Sequence, residues 1–72
     1  MKKIILDGTI YSESIVKKAI KDYSAIAKIR FEAKDNNIKC EFVSSKYELE
    51  KTIKEFENYI IDLSNSSQDY YD

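Results

Sequence analysis

The 72 residues are enough for one compact domain with a single hydrophobic core and too few for two domains. Apolar residues make up 43 % of the chain and charged residues 35 %, a balance that excludes both a disordered tail and a membrane protein. Twelve basic and thirteen acidic side chains leave a net charge of −1, which gives no electrostatic basis for binding nucleic acid or an anionic membrane.

The residue types that are missing exclude several kinds of active site. The chain has no His, and it has one Cys, Cys40. A Ser-His-Asp or Cys-His catalytic arrangement is therefore excluded, and one Cys cannot hold a zinc finger or an iron–sulfur cluster. Because Cys40 alternates with Ile38 and Phe42, we expect a buried, inert thiol. We predict a protein with no catalytic residue, metal or cofactor, located in the cytoplasm, where a lone cysteine stays reduced.

The first half of the chain predicts a strand followed by an amphipathic helix. The β-branched run from Lys3 to Asp7 is typical of a short strand. Ser12 can accept a hydrogen bond from a free N–H of a first helical turn, so a helix should begin near Glu13. Its apolar face follows helical spacing, with Ile15, Val16, Ala19, Ile20 and Tyr23.

The middle of the chain predicts a β-hairpin. Apolar residues alternate with charged ones on both sides of Asp35-Asn36-Asn37, whose residue types tolerate left-handed backbone angles. A two-residue turn at Asp35-Asn36 would place Ile29 opposite Phe42, Phe31 opposite Cys40, and Ala33 opposite Ile38. A turn at Asn36-Asn37 keeps the same buried side, so both registers stay open.

The last third predicts a second helix. Ser45 to Glu48 has the S-x-x-E form of a capping box, so we expect this helix to follow Ser45 directly. One apolar stripe contains Leu49, Ile53, Phe56, Ile60 and Leu63. The helix should fade over residues 64–67, which divides the chain into a domain at 1–64 and a flexible polar and aromatic tail at 65–72.

The order strand, helix, strand, strand, helix predicts a small two-layer α+β domain. We expect a three-stranded mixed sheet with both helices on one face, in the arrangement of a ferredoxin-like split β-α-β unit that lacks its last strand. The third strand would lie between the first two. The first strand would then be an unprotected edge, which favours pairing with another chain.

Tyrosines and the outer side of the second helix supply the candidate binding residues. Tyr combines apolar area with a polar tip and is enriched at protein interfaces, and this chain has six. Tyr70 and Tyr71 have no structural role in the predicted fold, and Ile61 lies off the apolar stripe. These three residues are the first candidates for contact with a protein partner.

Several segments together resemble the HxsD proteins of His-Xaa-Ser peptide-modification systems. The similarity runs from Leu6-Asp7 through Tyr11-Ser12 and Lys18-Ala19 to the segment 56–62, over about residues 4–62. Tyr11, Asn58 and Asp62 are among the residues that match by position. Asn58 and Asp62 are four residues apart, so they share one side of the predicted helix and could form a polar patch.

The resemblance implies a non-catalytic accessory protein that works beside radical S-adenosylmethionine (SAM) enzymes, which modify a ribosomally made peptide. Its expected partners are the modifying enzyme, the precursor peptide, or both, bound at the open sheet edge or the second helix. The alternative is a homodimeric structural or regulatory protein that pairs through its open sheet edge.

Overall fold

The computed structural model describes residues 2–69. It contains three strands and two helices in the predicted order: β1 (Lys2–Asp7), α1 (Glu13–Asp22), β2 (Ala27–Lys34), β3 (Asn37–Ser45) and α2 (Leu49–Asp69). The small α+β domain is therefore confirmed.

The three strands form one sheet in the order β1-β3-β2. Both neighbouring pairs are antiparallel, so β1 and β2 run in the same direction on either side of β3, as the sequence predicts. The sheet is antiparallel rather than mixed, because its two parallel strands are never hydrogen-bonded neighbours. This order leaves one side of β1 and one side of β2 without a neighbouring strand among the described residues.

The hairpin adopts the first of the two predicted registers. Lys34 lies opposite Asn37, and Phe31 lies opposite Cys40. Asp35 and Asn36 have φ angles of 52° and 64°, the left-handed region that a two-residue hairpin turn requires at both positions. The turn chemistry therefore decides between the registers.

The start of α1 follows the predicted cap. The backbone N–H of Ile15 donates to Ser12 Oγ at 3.1 Å, and α1 begins at Glu13. A carboxylate in this first turn also complements the partial positive charge of the helix end.

The predicted start of α2 is wrong by three residues, because the helix begins at Leu49 and not directly after Ser45. Ser45 does not cap the helix, because it is the last residue of β3, opposite Ala27, and the N–H of Lys46 then donates to the carbonyl of Ile26 at 2.7 Å. Ser45 Oγ instead donates to the carbonyl of Tyr47 at 2.8 Å and lies 3.1 Å from Thr52 Oγ1. Strand pairing has priority over the local capping motif.

The end of α2 also differs from the expectation. The helix continues to Asp69, past residues 64–67, where short polar side chains predict that it fades. Extending an established helix adds one hydrogen bond for each residue fixed, so a few weak helix formers do not stop it. The flexibility of the tail 65–72 stays a prediction, and Tyr70 and Tyr71 lie outside the described residues.

The core lies between the sheet and the two helices. Its fully buried aromatic centre is Phe56 of α2, which meets Phe42 of β3 edge to face at a ring distance of 5.4 Å. Around this pair the other buried apolar residues are Leu6, Val16, Ala19, Ala27, Ile29, Ile38, Cys40, Ile53 and Ile60. The opposite face of the sheet has no covering element among the described residues.

Candidate partner-binding surfaces

The described residues contain no group of metal ligands. Nowhere in residues 2–69 do three His, Cys, Asp or Glu side chains come together in a way that could hold a metal ion. In the same part of the chain, neither helix combines the length and apolar character needed to cross a membrane.

Cys40 has the environment of a structural thiol. Its side chain is fully buried in the core, and this burial raises the pKa of the thiol to about 11. A thiol must ionise to act as a nucleophile, so Cys40 stays protonated and unreactive at neutral pH.

The raised pKa of Cys40 makes stability depend on alkaline pH. In the unfolded chain the thiol ionises near pH 8.5–9, whereas in the folded protein it stays protonated until about pH 11. The contribution of the protonated thiol to the free energy of unfolding is therefore complete below about pH 8.5 and is lost as the pH rises through the folded pKa. We expect this loss to amount to about 2 kcal/mol. Urea unfolding of the wild type and of Cys40→Ala between pH 7 and 11 measures it.

The Cys40→Ala protein serves as the control for every other group that titrates in this range. Its free energy of unfolding should be lower at pH 7 and should fall less steeply above pH 9. Parallel pH profiles for the two proteins would contradict a pKa difference at Cys40.

Two tyrosines occupy the line along which α1 and α2 meet. The rings of Tyr23 and Tyr59 are 5.5 Å apart, and Tyr23 also packs edge to face on Phe56. The hydroxyl of Tyr59 donates to Asp22 Oδ2 at 2.5 Å, and the same carboxylate oxygen accepts from Lys18 Nζ at 3.2 Å. Both tyrosines are partly buried against the core, and the hydrogen bond from Tyr59 to Asp22 links the two helices.

These hydrogen bonds keep Asp22 charged. The Tyr59 hydroxyl, followed by Lys18, lowers the pKa of the Asp22 carboxyl. The same hydrogen bond raises the pKa of the Tyr59 phenol, because it holds the proton beside a carboxylate. The group is therefore a neutral phenol bound to a negatively charged carboxylate over the working pH range.

Asn58 and Asp62 extend this group outward. Both are exposed on α2, and the helical spacing places Asp62 one turn after Tyr59 and Glu55 one turn before it. We name the resulting area the helix-seam surface; it consists of Asp22, Tyr23, Glu55, Asn58, Tyr59 and Asp62. Glu55 and Asp62 give it negative charge, whereas Asp22 is paired with Lys18, and its two tyrosines give it the residue type that protein interfaces favour.

Ile61 lies on a different side of α2 from Asn58 and Asp62. It is 43 % exposed and stands about three full turns after Glu50, so the two residues share one flank of the helix. Glu50 is bound to Lys2 of β1, with a distance of 2.6 Å between Oε1 and Nζ. Ile61 therefore belongs to the flank that faces the β1 edge.

Tyr11 is partly buried against the core at the start of α1, and its N–H donates to the carbonyl of Asp7 at 3.0 Å. Tyr11 is not part of the helix-seam surface, because it precedes α1, whereas that surface is built from the end of α1 and the middle of α2.

The edge of β1 is a second exposed feature, and it carries an exposed apolar residue, Ile5. Ile5 is 60 % exposed on the sheet face that carries no helix. Its neighbours across this face are Lys39 and Glu32, which form an ion pair at 2.7 Å. The side-chain alternation of a strand was the available signal, because Ile4 and Leu6 both face the core and Ile5 must then face away.

Comparison with known proteins gives one family. The model of the His-Xaa-Ser system protein HxsD matches residues 6–65, more than half of the chain. The chain belongs to the HxsD family. No curated protein and no solved structure matches it.

The HxsD match agrees closely with the resemblance over residues 4–62. It includes both helices up to residue 65, the hairpin and the whole helix-seam surface. It also includes Tyr11 and Ile61, whereas Tyr70 and Tyr71 lie beyond it. Membership associates the chain with a His-Xaa-Ser system.

Proposed function

We propose that this HxsD-family protein is a non-catalytic accessory component of its His-Xaa-Ser system, which helps a radical SAM enzyme to recognise or retain the precursor peptide. The family match over residues 6–65 is the observation that carries this proposal. The buried, protonated thiol of Cys40 supports a binding role over a catalytic one, and it suits the reducing cytoplasm.

The helix-seam surface is the contact area in this proposal. Its tyrosines are fixed by packing on Phe56 and by the bond to Asp22, so they lose little conformational freedom when a partner binds. Its carboxylates at Glu55 and Asp62 favour a partner segment with basic side chains, because complementary charge speeds association and selects partners.

Coexpression with the enzyme and the precursor peptide tests the proposal. We expect a tagged form of this protein to copurify with at least one of them, and Asp62→Arg to weaken that association by about tenfold through charge repulsion. Glu48→Arg is the control, since it makes a similar charge change at an exposed residue next to the start of α2, about four helical turns before Asp62.

Two results would count against the proposal. A wild-type protein that copurifies with neither the enzyme nor the precursor contradicts the accessory role. Full association of Asp62→Arg would show that contact is made elsewhere on the molecule.

A further inference from the structure

The two edges of the sheet differ in how well they are protected against pairing. On β2, four alternate residues are charged, which discourages the addition of a further strand. On β1, the centre is the unbroken apolar run Ile4-Ile5-Leu6, in regular register with β3. The β1 edge is therefore the one that can accept a further strand.

The hairpin register shows which backbone groups of β1 are available. A two-residue turn makes Lys34 and Asn37 a hydrogen-bonded pair, so alternation along β3 directs the peptide groups of Ile38, Cys40 and Phe42 toward β1. They meet the alternate β1 residues Leu6, Ile4 and Lys2. The peptide groups of the remaining residues, Lys3 and Ile5, consequently point away from the sheet.

Side chains on the uncovered sheet face specify what the next strand should carry. Lys3 lies beside Glu41, which lies beside Arg30, so charge alternates across this row. If the alternation continues, the residue of the added strand that lies opposite Lys3 should be acidic. By the same reasoning, the residue opposite Ile5 should be apolar and the residue opposite Asp7 should be basic.

We propose that a second copy of this chain occupies the edge, with β1 paired antiparallel to β1 about a two-fold axis at Ile5. In this register Lys3 of each copy faces Asp7 of the other, and the exposed Ile5 side chains cover each other. On the helix side, Ile4 lies opposite Leu6 of the second copy. The two sheets form one antiparallel sheet of six strands, with all four helices on the same face.

This register is favoured over its neighbours. A shift by one residue would put helix-side residues opposite residues of the uncovered face, which the pleat forbids. The next permitted register pairs Lys3 with Ile5 and leaves Asp7 without a basic neighbour. Both hydrogen bonds from Thr9 use Oδ1 of Asp7, at 2.9 and 2.6 Å, so Oδ2 can face Lys3 of the second copy.

The flank of α2 above the edge adds apolar area to the same interface. Ile61 is 43 % exposed there, and the ion pair of Glu50 with Lys2 holds this flank over the start of β1. The helix-seam surface lies on another side of α2, so dimerisation leaves it accessible to the partner of the proposed function.

Sedimentation velocity over a range of protein concentrations tests the dimer. We expect the wild type to approach twice its monomer mass of 8.4 kDa, and Ile5→Lys to raise the dissociation constant by about tenfold or more. Ile10→Lys is the matched control, because Ile10 is 69 % exposed in the loop after β1 and its replacement should leave the constant unchanged.

A second pair of variants separates the two sheet edges. Lys3→Glu places like charges together twice across the proposed interface and should also weaken the dimer about tenfold. Lys28→Glu makes the same change on β2 and should leave the dimer intact. Circular dichroism of each variant verifies that the fold is retained.

Amide hydrogen exchange tests the same interface in the wild-type protein, without any substitution. In the wild type, the N–H group of Ile5 should gain protection as the concentration rises, because it would donate to the Ile5 carbonyl of the second copy, whereas those of Ile4 and Leu6 should be protected throughout. A monomer at every concentration overturns the proposal. A dimer that survives Ile5→Lys and Lys3→Glu, or that is lost with Lys28→Glu, overturns it as well.

Discussion

Replacing Phe56 with Ala should leave most of the protein unfolded at 25 °C. The Phe56 ring is fully buried and makes edge-to-face contacts with Phe42 and Tyr23, both at 5.4 Å. Truncation of a buried Phe to Ala costs about 3–5 kcal/mol, from the lost apolar burial and the cavity left behind. A domain of this size draws only about 3–5 kcal/mol of stability from its core, so the loss is comparable to the whole.

Urea unfolding followed by circular dichroism measures this effect, and two variants control it. Tyr47→Ala removes an aromatic side chain that is 61 % exposed and should change the free energy of unfolding by less than about 0.5 kcal/mol. Phe56→Leu refills most of the volume and should stay folded. A cooperative transition for Phe56→Ala at the wild-type urea concentration would show that Phe56 is not the centre of the core.

Replacing Gly8 with Ala should destabilise the fold by about 1–3 kcal/mol. A Cβ at this position would stand 2.7 Å from the carbonyl oxygen of Asn36 and 3.0 Å from its carbonyl carbon. Both atoms are backbone of the hairpin turn, so no side chain can move aside. The contact also carries the 2.7 Å hydrogen bond from Gly8 N–H to the Asn36 carbonyl, which attaches the end of β1 to the turn.

Thermal unfolding of Gly8→Ala, with Ala33→Val as the control, measures this effect. Ala33 is exposed on β2, so its enlargement should change stability by less than about 0.5 kcal/mol. Faster amide exchange at position 8 should accompany the loss, because the hydrogen bond to the turn lengthens. Equal stability of Gly8→Ala and the wild type would contradict this prediction, because it would mean that the hairpin turn moves away from the added Cβ without loss of stability.

Much of the fold could be predicted because it depends on neighbours in the chain. Ser12 caps α1 through a bond three residues away, and Asp35 and Asn36 form the turn through their own backbone preference. The buried side of each element follows from apolar periodicity, which is a local property of the sequence. The same periodicity exposes Asn58 and Asp62, as predicted.

The errors arose where distant residues decide a local conformation. Ser45 and Glu48 fit a capping box, but β3 pairs with β2 as far as Ser45 and so delays the helix. The close approach of the Asn36 backbone restricts the size of residue 8, and Asn36 lies 28 residues further along the chain.

The candidate surfaces show the same division. The sequence by itself determined the elements, their buried faces and a composition that leaves the lone Cys40 in the core, since these depend on residue type and spacing. Only the tertiary structure joined Tyr59 to Asp22, paired Glu50 of α2 with Lys2 of β1, and aligned Lys3 with Glu41 and Arg30. Those relations connect separate elements, and the packing angle and strand order that create them arise from the whole core at once.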